Sequence, residues 1–439
     1  MFKLLIQKPN RLWVLLAMLL SVFTAPVMAN IEIQTWHTKN GAKVMFVQAQ
    51  ELPMLDIEVS FDAGSARDGD FAGLASMTST LVGMQTSDLN EQQLSEQITN
   101  LGAQLSSDVS RDKASLQLRT LTRGQIMPKA LQLFSQVLHD STFSESIFSR
   151  ELERLKIGLQ RQKSQPQMVL NNKLWATLYG DHPYGHPKTG TLESVDKLSL
   201  SAVEQFYKDY YVASNALVAM VGNISRAKAE AIAEQLTGAL PQGEKPAPLA
   251  EVKPASAQTV AIPFQSTQTY YALTQVGIKR GDADYVPLFV GNHLLGGSGF
   301  GSLLMEEVRE KRGLVYSVYS YFAPMKVQGP FIIGLSTKNA SAKEADEVVK
   351  QTLKGFLQDF SVEKLQAIKD NLVGGFPLRM DSNAKVLGYL SLIGFYNLPL
   401  DYLEWMPAQI QKVTKEQVLE AWQRHVKPEN LTTLTVGQS

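Results

Sequence analysis

YYVASNALVAMVGNIS (residues 210–225) returns at the end of the chain as HVKPENLTTLTVGQS (residues 425–439), with Asn215 answering Asn430 and Gly222 answering Gly437 at one offset. The segments before them match as well. SAVEQFYKDYY (201–211) aligns with EQVLEAWQRHV (416–426), Val203 falling on Val418 and Tyr207 on Trp422. Each half also begins with a strand that ends in glycine, IEVSFDAGS (57–65) and YYALTQVGI (270–278). A repeat this long is a domain rather than a short solenoid unit, so the sequence predicts a duplication. Between the halves lies LPQGEKPAPLAEVKPASAQT (240–259), with four prolines and no helical or strand period, which is linker composition. The expected domains are therefore 30–239 and 260–439.

Each half mixes element types. KVMFVQA (43–49) and ALVAMVG (216–222) read as strands. EQQLSEQITNLG (91–102) has the 3.6-residue period, with Leu94, Ile98 and Leu101 on one face and Gly102 as its stop. Strands come first, helices follow, and a strand closes. The fold class is α+β: two domains, each a mostly antiparallel sheet with helices packed on one face.

Composition bounds the function. Forty-two acidic residues balance 42 basic ones, which gives no reason to expect nucleic acid or an anionic membrane as partner. Cysteine is absent, so there are no disulfides and no thiolate metal site. Lys3, Lys8 and Arg11 precede an apolar run (12–25) that is shorter than the roughly 20 residues of a membrane span. Val27-Met28-Ala29 then offers small cleavage positions, so residues 1–29 read as a secretory signal peptide cut after Ala29, and the mature chain as periplasmic and free of the membrane.

Three further stretches carry a resemblance. They are AGSARDGDFAGLASMTSTLVGM (63–84), LLGGSGFGSLLMEEVREKRGLVYSVYS (294–320) and GGFPLRMDSNAKVLGYLSLIGFYNLPLDYL (374–403). Together, over the whole mature chain, they resemble the pitrilysin (insulinase) family of zinc peptidases, the inverzincins, in its short two-domain branch that includes mitochondrial processing peptidase. Catalytic members of that family carry H-x-x-E-H on the helix after the first glycine strand. Two histidines at i and i+4 hold zinc, and the glutamate activates water. The matching positions here are Ser76, Ser79 and Thr80, and the family's third ligand, a glutamate on a later helix, falls on Gln160. A neutral hydroxyl is a poor zinc ligand and no general base near neutral pH. No H-x-x-E-H occurs anywhere in the chain, so no metal is expected in it. Of the six histidines, His182 and His186 in HPYGHP have i, i+4 spacing, but Pro183, Gly185 and Pro187 preclude a helix, and they read as solvated residues of a turn.

The second half keeps what the resemblance assigns to substrate. The glycine-rich loop GGSGFGS contains Gly296, Gly297, Gly299 and Gly301 and leads into a charged helix that ends at Gly313, after which LVYSVYSYF reads as a strand of period two. The family's arginine and tyrosine, seven residues apart, fall on Arg309 and Tyr316, where they imply donors to a peptide carbonyl. The loop lacks the Gly-Lys-Ser/Thr of a phosphate cradle and is not a Gly-x-Ser-x-Gly elbow. The resemblance thus implies a non-catalytic subunit of a heterodimeric zinc endopeptidase, working with a homologous chain that holds the zinc. A peptide-binding or structural scaffold is the alternative.

Overall fold

The computed structural model describes residues 31–438, so the signal-peptide reading lies outside the described residues. Eleven strands form two sheets among these residues. The first contains β1 (Gln34–His37), β2 (Lys43–Gln48), β3 (Met54–Phe61), β4 (Gln104–Val109), β5 (Ala114–Leu121) and β6 (Ala216–Gly222), in the order β1-β2-β6-β3-β5-β4. The second contains β7 (Thr259–Pro263), β8 (Gln268–Val276), β9 (Val315–Phe322), β10 (Pro330–Lys338) and β11 (Thr432–Gly437), in the order β7-β11-β8-β10-β9.

With β1 set aside, the two orders superimpose strand for strand. The first strand of each half lies parallel to the last (β2 with β6, β7 with β11), and all other pairs are antiparallel. The echo in the sequence marks this closing strand. Asn215 and Asn430 each end a 3-10 turn that launches it. Gly222 and Gly437 end it, where a Cβ would lie 2.3 Å from Met54 O and 2.7 Å from Thr269 Oγ1 respectively. At these two positions the neighbouring strand leaves no room for a side chain.

The alternation in β3 puts Ile57, Val59 and Phe61 in the core of the first half. On that face lie the half's own helices, Ile126–His139 and Arg226–Thr237. Asp56, Glu58 and Ser60 point the other way, yet they are buried. The cover comes from the opposite half. The helix Asn383–Tyr396 packs on β2, β3 and β6, and a Cβ on Gly394 would meet Met45 Sδ at 2.5 Å and Leu217 at 2.7 Å. Lys43 Nζ donates to Gly394 O (3.1 Å) and to Asn397 Oδ1 (2.9 Å), placing a cation at the carboxyl end of that helix. Ser391 donates to Glu58, which also holds Lys113 Nζ at 2.6 Å and Gln117 Nε2 at 2.9 Å.

The exchange is reciprocal. The helix Pro166–Tyr179, from the first half, lies on β8 and β11 of the second. Leu170, Leu174 and Leu178 are buried there against Ala272, Ile332, Leu434 and Val436, each leucine worth roughly 1.5–3 kcal/mol by its removal from water. Each sheet therefore carries its own helices on one face and one helix of the other half on the second. Between the halves, the buried Asp112 carboxylate accepts from Tyr184 of the first half and from Tyr396 Oη (2.8 Å) and Lys326 N (2.9 Å) of the second.

Residues 240–258 form neither helix nor strand and connect the halves. The segment is pinned where Ala213 N donates to Pro241 O (2.8 Å) and Arg67 to Ala247 O (2.8 Å), while Glu244 and Glu251 stay exposed. Both of its lysines, Lys245 and Lys253, precede proline, so trypsin is a poor probe. A glutamate-specific protease is expected to cut first at Glu244 or Glu251. The two fragments should separate on a denaturing gel yet co-elute under native conditions, because the exchanged helices hold them. Fragments that part under native conditions would refute the interlocking.

Candidate functional site

The positions matching the zinc motif lie on the helix Leu74–Leu81, which starts at Gly73 with φ +101. A Cβ on Gly73 would stand 2.9 Å from Thr189 O, so both the dihedral and the neighbour call for glycine. The helix start is held by the buried Asp68, whose carboxylate accepts from Gly73 N and Ala75 N, both at 2.7 Å. Burial pushes this carboxyl up to about 8, while the two N–H bonds pull in the opposite direction.

The residues at the motif positions do not fit zinc. Ser76 and Ser79 are buried. Ser76 Oγ donates to Lys188 O (2.8 Å) and Thr80 Oγ1 donates to Ser76 O (2.9 Å), so both hydroxyls are spent on carbonyls. Gln160 sits exposed on the helix Glu145–Lys163, which packs on the helix Leu74–Leu81, and its side chain makes no hydrogen bond among the described residues. The buried carboxylate on that helix is Glu151, and it accepts from Arg150 Nε and Arg154, each at 2.8 Å.

The turn histidines differ from the sequence reading. They are engaged rather than solvated. His182 Nε2 meets Ala250 O at 3.0 Å, and His186 stands 3.8 Å from Asp68 with its pKa lowered by burial. Among the described residues the cluster with metal-ligand geometry is Asp282, Asp284 and His425. It is an ion-pair cluster, with Asp284 accepting from Arg424 Nε (2.9 Å) and paired with His425 Nε2 (2.8 Å).

In the second half the structure brings Arg309 and Tyr316 together. Arg309 is carried on Met305–Glu310, which is wound as a π-helix, a winding frequent at functional sites. Tyr316 is near the start of β9, the edge strand. The strand's period of two fails there, because Val318 pairs with Leu335 but Val315 pairs with Thr337. Tyr316 and Ser317 thus share one partner position, which is a β-bulge. The bulge leaves Val315 and Val318 buried and turns Tyr316 outward, with Tyr319 and Tyr321 exposed further along the strand. As a result the Arg309 guanidinium carbon lies 5.0 Å from the centroid of the Tyr316 ring.

The four loop glycines divide by role. Gly296 and Gly297 are close-packing residues, since a Cβ would fall 2.5 Å from Ser320 Oγ and 2.6 Å from Asn292 Nδ2 respectively. These two contacts belong to a reciprocal buried pair, Asn292 Nδ2 to Ser320 O (2.9 Å) and Ser320 Oγ to Asn292 Oδ1 (2.8 Å). Gly299 has φ +68, and Gly301 faces open space apart from Ser298 Oγ. Between them Phe300 projects outward, with its ring centroid 4.6 Å from the Arg309 guanidinium. The one signal for Phe300 in the sequence is a large apolar residue inside a run of glycine and serine.

Two interlocked α+β domains whose motif helix bears hydroxyls match inactive homologues of a metallopeptidase. The family model for insulinase (peptidase family M16) matches residues 43–192, and that for the peptidase M16 inactive domain matches residues 197–372. The chain belongs to the insulinase family, peptidase family M16. A crystal structure of a peptidase M16 inactive domain from Pseudomonas fluorescens is 37% identical, with a TM-score of 0.91 over 93% of this chain and 98% of that one. A Helicobacter pylori protein named as the non-peptidase homolog YmxG is 25% identical over 407 residues, 91% of this chain and 93% of that protein. A Bacillus subtilis protein named as the uncharacterized zinc protease YmxG is 23% identical over 357 residues, 81% of this chain and 86% of that protein.

Proposed function

We propose that this chain is the non-catalytic, peptide-binding subunit of an exported two-chain zinc endopeptidase, acting in the periplasm beside a related chain that carries H-x-x-E-H. One observation carries the reading: Arg309 and Tyr316 are held together and outward, with no acceptor of their own among the described residues. No described acid forms an ion pair with Arg309, and two of its near acids are taken by other bases. Glu306 pairs with Lys311 and Lys364, and Glu307 with Lys311 and Arg312. The guanidinium and the phenol are thereby left to a ligand. A peptide carbonyl gains negative charge as water adds to it, and these donors would stabilise that oxygen. A scaffold that binds peptide without assisting cleavage is the second reading. It is favoured by the exposed tyrosines of edge strand β9, where an extended segment could lie.

The test is to purify the mature chain and a related chain with H-x-x-E-H, and to assay a quenched fluorescent peptide with each alone and with both. Cleavage by the mixture well above the second chain alone supports the subunit reading. Association without any gain in cleavage supports the scaffold.

A further inference from the structure

Phe300 makes the retained pair a triad of rings and cation. The guanidinium of Arg309 has the Phe300 centroid at 4.6 Å and the Tyr316 centroid at 5.0 Å. Both rings are open to solvent, Phe300 at 67% and Tyr316 at 85% exposed. Large aromatic residues so exposed are not there for core packing. Arg309 is half-buried as a residue, and its guanidinium lies against both of these solvent-open rings.

The loop that carries Phe300 is built to a fixed shape. Gly299–Gly301 is a 3-10 turn closed by Ser302, whose N and Oγ donate to Gly299 O at 3.0 and 2.7 Å. Its base is fastened by the close approach of Gly296 and Gly297 to Ser320 and Asn292. Ser320 is on β9, the strand that carries Tyr316. One buried pair therefore ties the loop bearing Phe300 to the strand bearing Tyr316.

We infer that Phe300 is a positioning residue. With Tyr316 it flanks the Arg309 guanidinium, so that the in-plane N–H groups are aimed at an oxygen acceptor of a bound peptide. A ring attracts a cation over the ring's own face, and a planar guanidinium donates through its edge. Two such ring contacts restrict the group while leaving its edge donors for a ligand. The ligand class is a peptide oxygen that accepts two parallel N–H bonds, either a main-chain carbonyl or a C-terminal carboxylate. This inference rests on the peptide-binding reading of Arg309 and adds the residue that orients it.

The test uses the full mature chain and a fluorescein-labelled unstructured peptide of alanine, serine, leucine and lysine, prepared with a free C-terminus and with an amidated one. Binding is read by anisotropy for the wild type, Arg309→Ala, Phe300→Leu and Phe300→Tyr, each checked for an unchanged melting temperature. Phe300→Leu keeps an apolar side chain but removes the π face, and it is expected to weaken binding about two- to fivefold. Phe300→Tyr should bind as the wild type does, and Arg309→Ala should weaken binding more than Phe300→Leu. In a ¹H–¹⁵N spectrum the Arg309 Nε–H resonance, shifted by the two ring currents, should move in Phe300→Leu and stay in Phe300→Tyr. A carboxylate as the bound group would show as loss of affinity on amidation, a carbonyl as none. If Phe300→Leu binds as the wild type does, or if Phe300→Tyr weakens as much as Phe300→Leu, the positioning role is overturned while the Arg309 reading stands. If the wild type fails to bind, or Arg309→Ala changes nothing, the peptide-binding reading itself falls.

Discussion

Tyr316→Phe is expected to lower the peptide-cleaving activity of the two-chain mixture about 10²–10³-fold, the usual loss when one donor to a developing oxyanion is removed. The substitution deletes only a hydroxyl. The ring stays, and with it the contact to Arg309 at 5.0 Å. No described residue accepts a hydrogen bond from that hydroxyl, and the side chain is 85% exposed, so the fold loses nothing. Stability and association with the related chain should therefore be unchanged. Arg309→Ala should reduce activity at least as far but is harder to interpret, because it also releases Phe300 and Tyr316 from their shared cation. Turnover measured beside a separate association assay decides the matter. Full activity with Tyr316→Phe would remove the pair from the mechanism and leave the scaffold reading.

Trp422→Ala is expected to destabilise the second half by about 3–5 kcal/mol, the range for truncating a large buried aromatic. Trp422 is fully buried and is met edge-on by three rings, Phe356 at 4.7 Å, Phe322 at 5.3 Å and Phe331 at 5.4 Å. Gly291 lies against its indole so closely that a Cβ would sit 2.2 Å from Nε1. Against a total stability of roughly 5–15 kcal/mol that is a large share. Its counterpart in the first half, Tyr207, is only partly buried and donates its hydroxyl to Leu138 O at 2.6 Å, so Tyr207→Phe should cost about 1 kcal/mol. Urea unfolding followed by far-ultraviolet circular dichroism reads both. A Trp422→Ala midpoint no lower than that of Tyr207→Phe would contradict this account of the core.

What was legible in the sequence was what one half repeats of the other. Asn215 with Asn430 and Gly222 with Gly437 mark the same turn and strand end, and the paired strand orders follow from them. The spacing of Ser76, Ser79 and Thr80 predicts one shared helix without tertiary context, and the helix Leu74–Leu81 carries all three. The helix exchange was not legible. Periodicity reports that a face is buried, never which distant element buries it. The local hint was Ser391 with Gly394, small residues one helical turn apart that let the helix approach β2 and β6. The bulge at Tyr316 was hidden for a related reason. Val-Tyr-Ser-Val carries no glycine or proline to announce a break, and only the register with β10 shows two residues opposite one. Phe300 lies inside the glycine-rich loop but is none of its glycines, and its contact with Arg309 is made across separate turns of the chain.

Metal content of a purified chain of residues 30–439 tests the central claim most directly. The hydroxyls of Ser76 and Thr80 donate to backbone carbonyls, and Gln160 is exposed, so these positions are expected to hold no zinc. After dialysis against micromolar zinc and then buffer, elemental analysis should find far less than one zinc per chain, and the chain alone should leave a quenched fluorescent peptide uncut. One tightly held equivalent of zinc, together with cleavage that a chelator abolishes, would contradict the account.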